Sequence, residues 1–171
     1  VPRNIVAAVD ETRSLEMHYC VLGLSPQPFR HLFGLSDAEL SAHRAIRTIA
    51  DRTPGYPDRI ELRDAEPGEA VLLVNYTHQP SHTPYRASHA VFVLEHAKAA
   101  RAFFDELPQA LRLRPISLRA FDATHMMRDA DLAEGDALEP AIKRLLGDDR
   151  VAYLQAHYAK RGCYAARIER A

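Results

Sequence analysis

Two short apolar runs, Val71-Leu72-Leu73-Val74 and Ala90-Val91-Phe92-Val93-Leu94, bracket a polar stretch from Asn75 to His89 that contains Pro80 and Pro84. Runs of that length, bounded by turn residues and rich in β-branched and aromatic side chains, read as strands. The prolines between them argue against a helix there. The polar stretch is therefore delivered at the ends of buried strands, where binding and catalytic groups tend to collect. It carries His78, His82, His89, Tyr76, Tyr85, Arg86 and several hydroxyls, and is the candidate functional stretch of the chain.

The remaining pattern adds strands and a few short helices. Residues 1–16 match no period; they are expected to be a loosely docked or non-native leader, with Met17 at or near the natural start. Residues 17–22 open the first strand. A helical piece at 29–33 ends at Gly34, and Ser36 with Glu39 fits a capping box opening a helix at 37–42. Residues 45–51 read as a strand, and Pro54-Gly55 suits the centre of a type II turn. From 58 to 63, Ile60 and Leu62 alternate with Arg59, Glu61 and Arg63, the pattern of a half-exposed strand. Pro67-Gly68 makes a second turn, feeding a strand at 70–76, and another strand follows at 88–95.

Ala97, Ala99, Ala100, Phe103 and Phe104 fall at helical spacing over 96–107, with Pro108 as the stop and one further turn at 109–114. Strands follow at 116–122 and 126–132. Leu138, Ile142, Leu145 and Leu146 form the clearest amphipathic helix, capped by Asp136 or Glu139 and stopped by Gly147. Residues 151–158 and 163–170, joined by a glycine-containing loop, read as a hairpin.

Regular strand–helix alternation is absent, which argues against a doubly wound parallel sheet. The expected fold is α+β: a single domain over 17–171, with a mostly antiparallel sheet of about eight strands, one or two packed helices and a C-terminal β-hairpin. At 171 residues and 47% hydrophobic, the chain has material for one proper core. A net charge of -1 gives no global reason to expect nucleic acid or an anionic membrane surface. No apolar stretch approaches the length that spans a bilayer. Cys20 and Cys163 make no disulfide framework, and the protein is expected in the cytoplasm with both thiols reduced. The two cysteines come together only if their terminal strands pair; two small buried hydrophobes is the simpler expectation.

Counting by twos places His78 on a face with Tyr76, Val74 and Leu72, and His89 with Val91 and Val93. If the two strands are neighbours, both histidines reach one end of the sheet. His78, His89 and His157 are the candidate catalytic residues, since imidazoles move protons near neutral pH. Tyr85, Arg86 and Arg119 are the candidate ligand-binding residues. Arg86 can grip a carboxylate or phosphate with paired hydrogen bonds. Arg119 sits in a strand among apolar residues and needs a partner if buried; Asp122, Asp129 and Asp131 are the candidates for a structural salt bridge. In the terminal hairpin, Gln155, His157 and Arg167 interrupt an apolar pattern, so they face solvent or line a polar cavity.

His78 and His82 are four apart, and His89, His157 or Cys163 could complete a zinc set. Pro80 and Pro84 deny the helix that would bring four-apart histidines together, so no metal ligand is named. Cys163 is a nucleophile only if its pKa is lowered, and a buried cysteine is the commoner outcome. No phosphate loop, nucleophile elbow or His-Glu-x-x-His motif occurs, and no cofactor follows from these residues.

Several blocks look familiar together: Pro28-Phe29-Arg30, Gly34 through Leu40, Asp64 through Glu69, Asn75 through Pro80, Thr83 through Ala90, Ser117 through Asp122, and His157 with Gly162 through Arg167. In combination they make the chain resemble a family of small bacterial proteins catalogued as domain of unknown function 1203, from about Met17 to the end. The resemblance implies a single-domain, bacterial, cytosolic protein and brings no reaction, cofactor or catalytic residue with it. The expectation is a small-ligand-binding or enzymatic domain whose pocket, built from His78, Tyr85, Arg86, His89, Arg119 and His157, takes an anionic small molecule. The alternatives are a protein–protein interaction module that uses the Tyr85/Arg86 loop as its patch, and a zinc-dependent enzyme.

Overall fold

The computed structural model describes residues 17–171, so the leader expected at 1–16 lies outside the described residues. Among the described residues nine strands form two antiparallel sheets. They are β1 (Tyr19–Leu22), β2 (Ile46–Ile49), β3 (Ala70–Gln79), β4 (Ala87–Leu94), β5 (Ala102–Phe104), β6 (Ile116–Phe121), β7 (Met127–Ala133), β8 (Tyr153–Tyr158) and β9 (Tyr164–Arg170). The helices are α1 (Asp37–Ala42), α2 (Gln109–Arg112) and α3 (Leu138–Leu146), with 3-10 turns at Gln27–Leu32 and Gly135–Ala137. One sheet runs β5-β1-β9-β8-β6-β7 and the other β2-β3-β4. The α+β class and the C-terminal hairpin β8–β9 are as the pattern predicts, but the strands divide between two sheets.

Each sheet has its own apolar cluster. In the larger sheet, Ile116, Leu118, Ala120, Leu154, Ala156 and Ile168 pack with Leu138, Ile142, Leu145 and Leu146 of α3. Those strand positions alternate, as residues on one face of a sheet must. In the smaller sheet, Leu72, Val74, Val91 and Val93 pack with Phe29 and Leu32 of the first 3-10 turn and with Tyr164 of β9. Tyr164 thus belongs to the large sheet by hydrogen bonding and to the small sheet's core by packing. The large sheet's other face, with Arg119, Tyr153, Gln155 and His157, is left for the small sheet to meet.

Local chemistry explains most of the elements. The Ser36–Glu39 capping box forms in both directions, Ser36 Oγ accepting from the Glu39 amide and the Glu39 carboxylate from the Ser36 amide. Pro67-Gly68 turns with φ 94° at the glycine, as a type II turn needs, whereas Gly55 adopts no such positive φ. Before α3 the N-cap is Ala137, with no side-chain cap; Glu139, expected as a possible cap, lies inside the first turn and pairs with Lys143 at 2.9 Å.

Two expected elements do not form. Residues 58–63 curl instead of extending. The Asp58 carboxylate accepts from the Glu61 amide at 2.5 Å and the Leu94 amide at 2.7 Å, and Leu62 takes φ 58°. Arg59, expected on an exposed face, is only 2% exposed. It donates to the Tyr164 carbonyl at 2.9 Å, to Cys163 Sγ at 3.2 Å and to the Pro57 carbonyl. The helix expected at 96–107 is a loop and β5, bracketed by positive φ at His96 and Asp105. The open edge of β1 supplies backbone partners, Cys20 facing Phe104, and the Asp105 carboxylate accepts from the Tyr19 amide at 2.9 Å. Edge pairing with two phenylalanines outweighs the helical spacing of small alanines.

β1 and β9 do pair, but Cys20 lies opposite Glu169, which leaves Cys163 roughly 20 Å along β9 at strand rise. Both cysteines are free thiols. No helix among the described residues is long and apolar enough to cross a membrane.

Ile142→Ala, which empties a fully buried position under the large sheet, is expected to cost about 2–5 kcal/mol. Ile46→Ala, on a strand position 61% exposed, is expected to stay within about 0.5 kcal/mol. Urea denaturation measures both; equal costs would contradict the placement of the core.

Candidate functional site

The site lies where the inner face of β3–β4 meets the bare face of β6–β8–β9. A regular strand points consecutive side chains to opposite faces, yet His78 and Gln79 both reach toward the large sheet. The cause is a bulge: Thr77 pairs with Ser88 and Gln79 with Ala87, leaving His78 as the extra residue. Gln79 Nε2 then donates to Tyr153 Oη at 2.8 Å, and His78 Nδ1 lies 2.8 Å from Gln155 Oε1. A second bulge in β8–β9, where Ala156 pairs with Ala166 and His157 with Tyr164, turns the Tyr164 ring into the same space.

The rings assemble around His78. Its imidazole is sandwiched between His89, parallel at 4.7 Å between centroids, and Tyr164, nearly parallel at 5.0 Å. His157 stands edge-on to all three, at 5.1 Å from His78, 5.5 Å from His89 and 5.8 Å from Tyr164. The structure therefore gathers His78, His89 and His157 from three strands. Gln155 holds His78 in place, its Nε2 donating to the His78 carbonyl at 3.1 Å. Its Oε1 is also 3.3 Å from His157 Nε2, a contact that a neutral His157, with one proton, shares with the shorter approach of its Nδ1 to Gly162. His157 Nδ1 lies 3.1 Å from the Gly162 carbonyl at the hairpin turn.

Arg119 sits directly across from Gln155 in the β6–β8 register, so the two side chains share a face. None of the expected acids pairs with it. Asp129 and Asp131 lie opposite Ala120 and Leu118, on the other face of the sheet, and both meet Arg144 of α3, at 3.7 and 2.6 Å. Asp122 pairs with Arg128 at 2.6 Å. The half-buried Arg119 guanidinium makes no hydrogen bond or ion pair among the described residues, and burial lowers its pKa.

Burial also holds the histidines neutral. The His78 pKa is pushed down to about 4, mainly by burial, with His89 and Arg119 adding to it against the Gln155 hydrogen bond. That of His157 falls to about 3 through burial and the charge of Arg119. His89 is lowered by the same two causes. Among the described residues two ring nitrogens are buried without a partner, His78 Nε2 and His89 Nδ1.

The other expected site residues lie elsewhere. Tyr85 rests edge-on against Phe121 at 6.0 Å, and the exposed Arg86 donates to the Pro80 carbonyl. Neither joins the histidine cluster, because the loop that carries them folds back on its own prolyl carbonyl. His82 is exposed. Among the described residues no group of three or more His, Cys, Asp or Glu side chains is placed to hold a metal ion. Parallel stacking turns the lone pairs of His78 and His89 along their separate ring planes rather than onto one point. The residues that sequence reasoning passed over are Gln79, Tyr153 and Tyr164. The bulges bring Gln79 and Tyr164 inward, and no periodicity announces a bulge; Tyr153 shares its face with Gln155 and His157 by simple alternation.

The sequence model of a family described as Protein of unknown function (DUF1203) matches residues 55–170, which include every member of the cluster. No curated protein and no solved structure matches the chain.

Imidazoles of an unfolded chain titrate near 6.5, above the lowered values of His78 and His157. Between about pH 6.5 and 4 the unfolded chain therefore binds protons that the folded chain does not. The stability is present above the unfolded value and is lost as pH falls toward the folded ones. Urea midpoints measured from pH 7 to 5 are expected to fall, and His157→Gln to flatten the slope by about one proton. An unchanged slope in the variant would contradict the neutral, buried state of His157.

Proposed function

The chain belongs to the family described as Protein of unknown function (DUF1203), and within it we propose that this protein binds a small molecule through an anionic group at the seam between the two sheets. Arg119 is the charged anchor, His78 and His89 supply the polar contacts, and Gln155 and His157 hold the arrangement. The observation that carries this reading is the half-buried guanidinium of Arg119, without a counter-charge among the described residues, beside two imidazole nitrogens unpartnered among those residues. A charge half withdrawn from water without a counter-charge is unfavourable, and an anion relieves that cost. Arg119 and His89 are half-buried, so the seam meets solvent at these two residues. Neutral imidazoles accept protons rather than donate them, so a reaction at this site would use a histidine as a base. The setting proposed is the bacterial cytoplasm.

A thermal-unfolding screen with inorganic phosphate, nucleotides and carboxylates tests the reading. At least one anion is expected to raise the Tm by several degrees, corresponding to about 2.7 kcal/mol at a hundred times its Kd. Arg119→Gln is expected to abolish the shift and Arg86→Ala to leave it. No shift with any anion, or the same shift in Arg119→Gln, would contradict the proposal. Loss in Arg86→Ala alone would move the anion to the exposed loop.

A further inference from the structure

The hydrogen bonds of Gln155 say which kind of anion fits. Its Nε2 faces the His78 carbonyl at 3.1 Å, and an amide nitrogen can only donate. The amide orientation follows, so Oε1 is the atom presented to the imidazoles, and it can only accept. His78 Nδ1, 2.8 Å from Oε1, must then carry the ring's proton. In a neutral imidazole the other nitrogen is a bare lone pair. That nitrogen, His78 Nε2, is buried and unpartnered on a side chain only 9% exposed.

The site thus makes two opposite demands. Arg119 has donors to offer and needs an acceptor. His78 Nε2 has a lone pair and needs a donor. A carboxylate or sulfate at neutral pH brings acceptors alone, and would satisfy the arginine while facing its oxygens to another lone pair. Resting on the anion-binding reading above, we infer that the ligand carries an O–H donor beside its negative charge, as in hydrogen phosphate or a 2-hydroxycarboxylate, with the charge on Arg119 and the hydroxyl donating to His78 Nε2. Gln155 is then a positioning residue: it acts on the ligand only by deciding which nitrogen of His78 is bare.

Sites that hydrogen-bond a ligand hydroxyl reject the analogue lacking it, because a buried polar atom is left unpaired. Two matched pairs isolate that hydroxyl: phosphate against sulfate, and glycolate against acetate. Each is titrated at pH 7.5 and constant ionic strength into the full chain labelled with nitrogen-15, and followed at the His78 ring nitrogens. Before any addition, the spectrum is expected to show the proton on Nδ1. The hydroxyl-bearing member of at least one pair is expected to bind roughly tenfold to a hundredfold more tightly than its partner. The pair that discriminates assigns phosphate or hydroxy acid. Gln155→Leu is expected to mix the two tautomers and bring that ratio toward one.

A proton found on Nε2 of His78 would overturn the inference, and so would equal binding within both pairs. Equal binding would leave the anion site itself standing. Should none of the four anions bind, this inference falls, and the anion-site reading is decided by the wider screen of phosphates, nucleotides and carboxylates. The tautomer is read on the wild-type chain, so a Gln155→Leu variant that fails to fold does not remove the test.

Discussion

One amide side chain ties the two sheets together. Gln155, on one of the two central strands of the large sheet, donates to the backbone carbonyl of His78 and accepts from its ring. Both bonds are buried, and a buried polar group that loses its partner costs about 1–3 kcal/mol. The contact therefore sets how closely and in what register the small sheet can lie on the large one. The bulge at His78 is its counterpart, since only the extra residue lets His78 and Gln79 reach across together. The stacked rings of His89, His78 and Tyr164 follow from that register.

The rest of the molecule is arranged so that this seam can be polar. The large sheet buries its apolar face under α3, and the apolar half of the small sheet's inner face is filled by Phe29, Leu32 and Tyr164. The seam's polar end is then free to hold imidazoles, an amide and an arginine. The hairpin β6–β7 sorts its charges by face: Asp129 and Asp131 go to Arg144 on the helix side, and Arg119 goes to the seam side without an acid. Strand periodicity alone does the sorting. Its consequence is a positive charge uncompensated among the described residues, set among histidines that the fold keeps neutral by burial and by that same charge.

Much of this was readable from residue order. The paired strands around the Asn75–His89 stretch, the Ser36 capping box, α3 and the terminal hairpin all rest on local periodicity or cap chemistry, and local signals survive folding. His78 and His89 were found because they sit in the polar stretch between two apolar strands, and His157 because it interrupts an apolar alternation. What was not readable depended on distant partners. Residues 96–107 have helical spacing, but the free edge of β1 draws Ala102–Phe104 into a strand. Arg59 looks like the exposed half of an alternation, and is buried because carbonyls of Tyr164 and Pro57 and the sulfur of Cys163 receive it. Arg119 was given an acid on its own hairpin, and the hairpin turns those acids away. Tyr85 and Arg86 were placed in the cluster by proximity in sequence, whereas their loop closes on Pro80.

The central claim is that the seam holds an oxyanion between Arg119 and His78. Crystals grown with arsenate, a heavy analogue of phosphate that keeps its own proton, test it most directly through the anomalous signal of arsenic. The account predicts a single strong peak within hydrogen-bonding distance of the Arg119 guanidinium and of His78 Nε2. A seam with no arsenic, and Arg119 turned to a carboxylate of the chain itself, would contradict it.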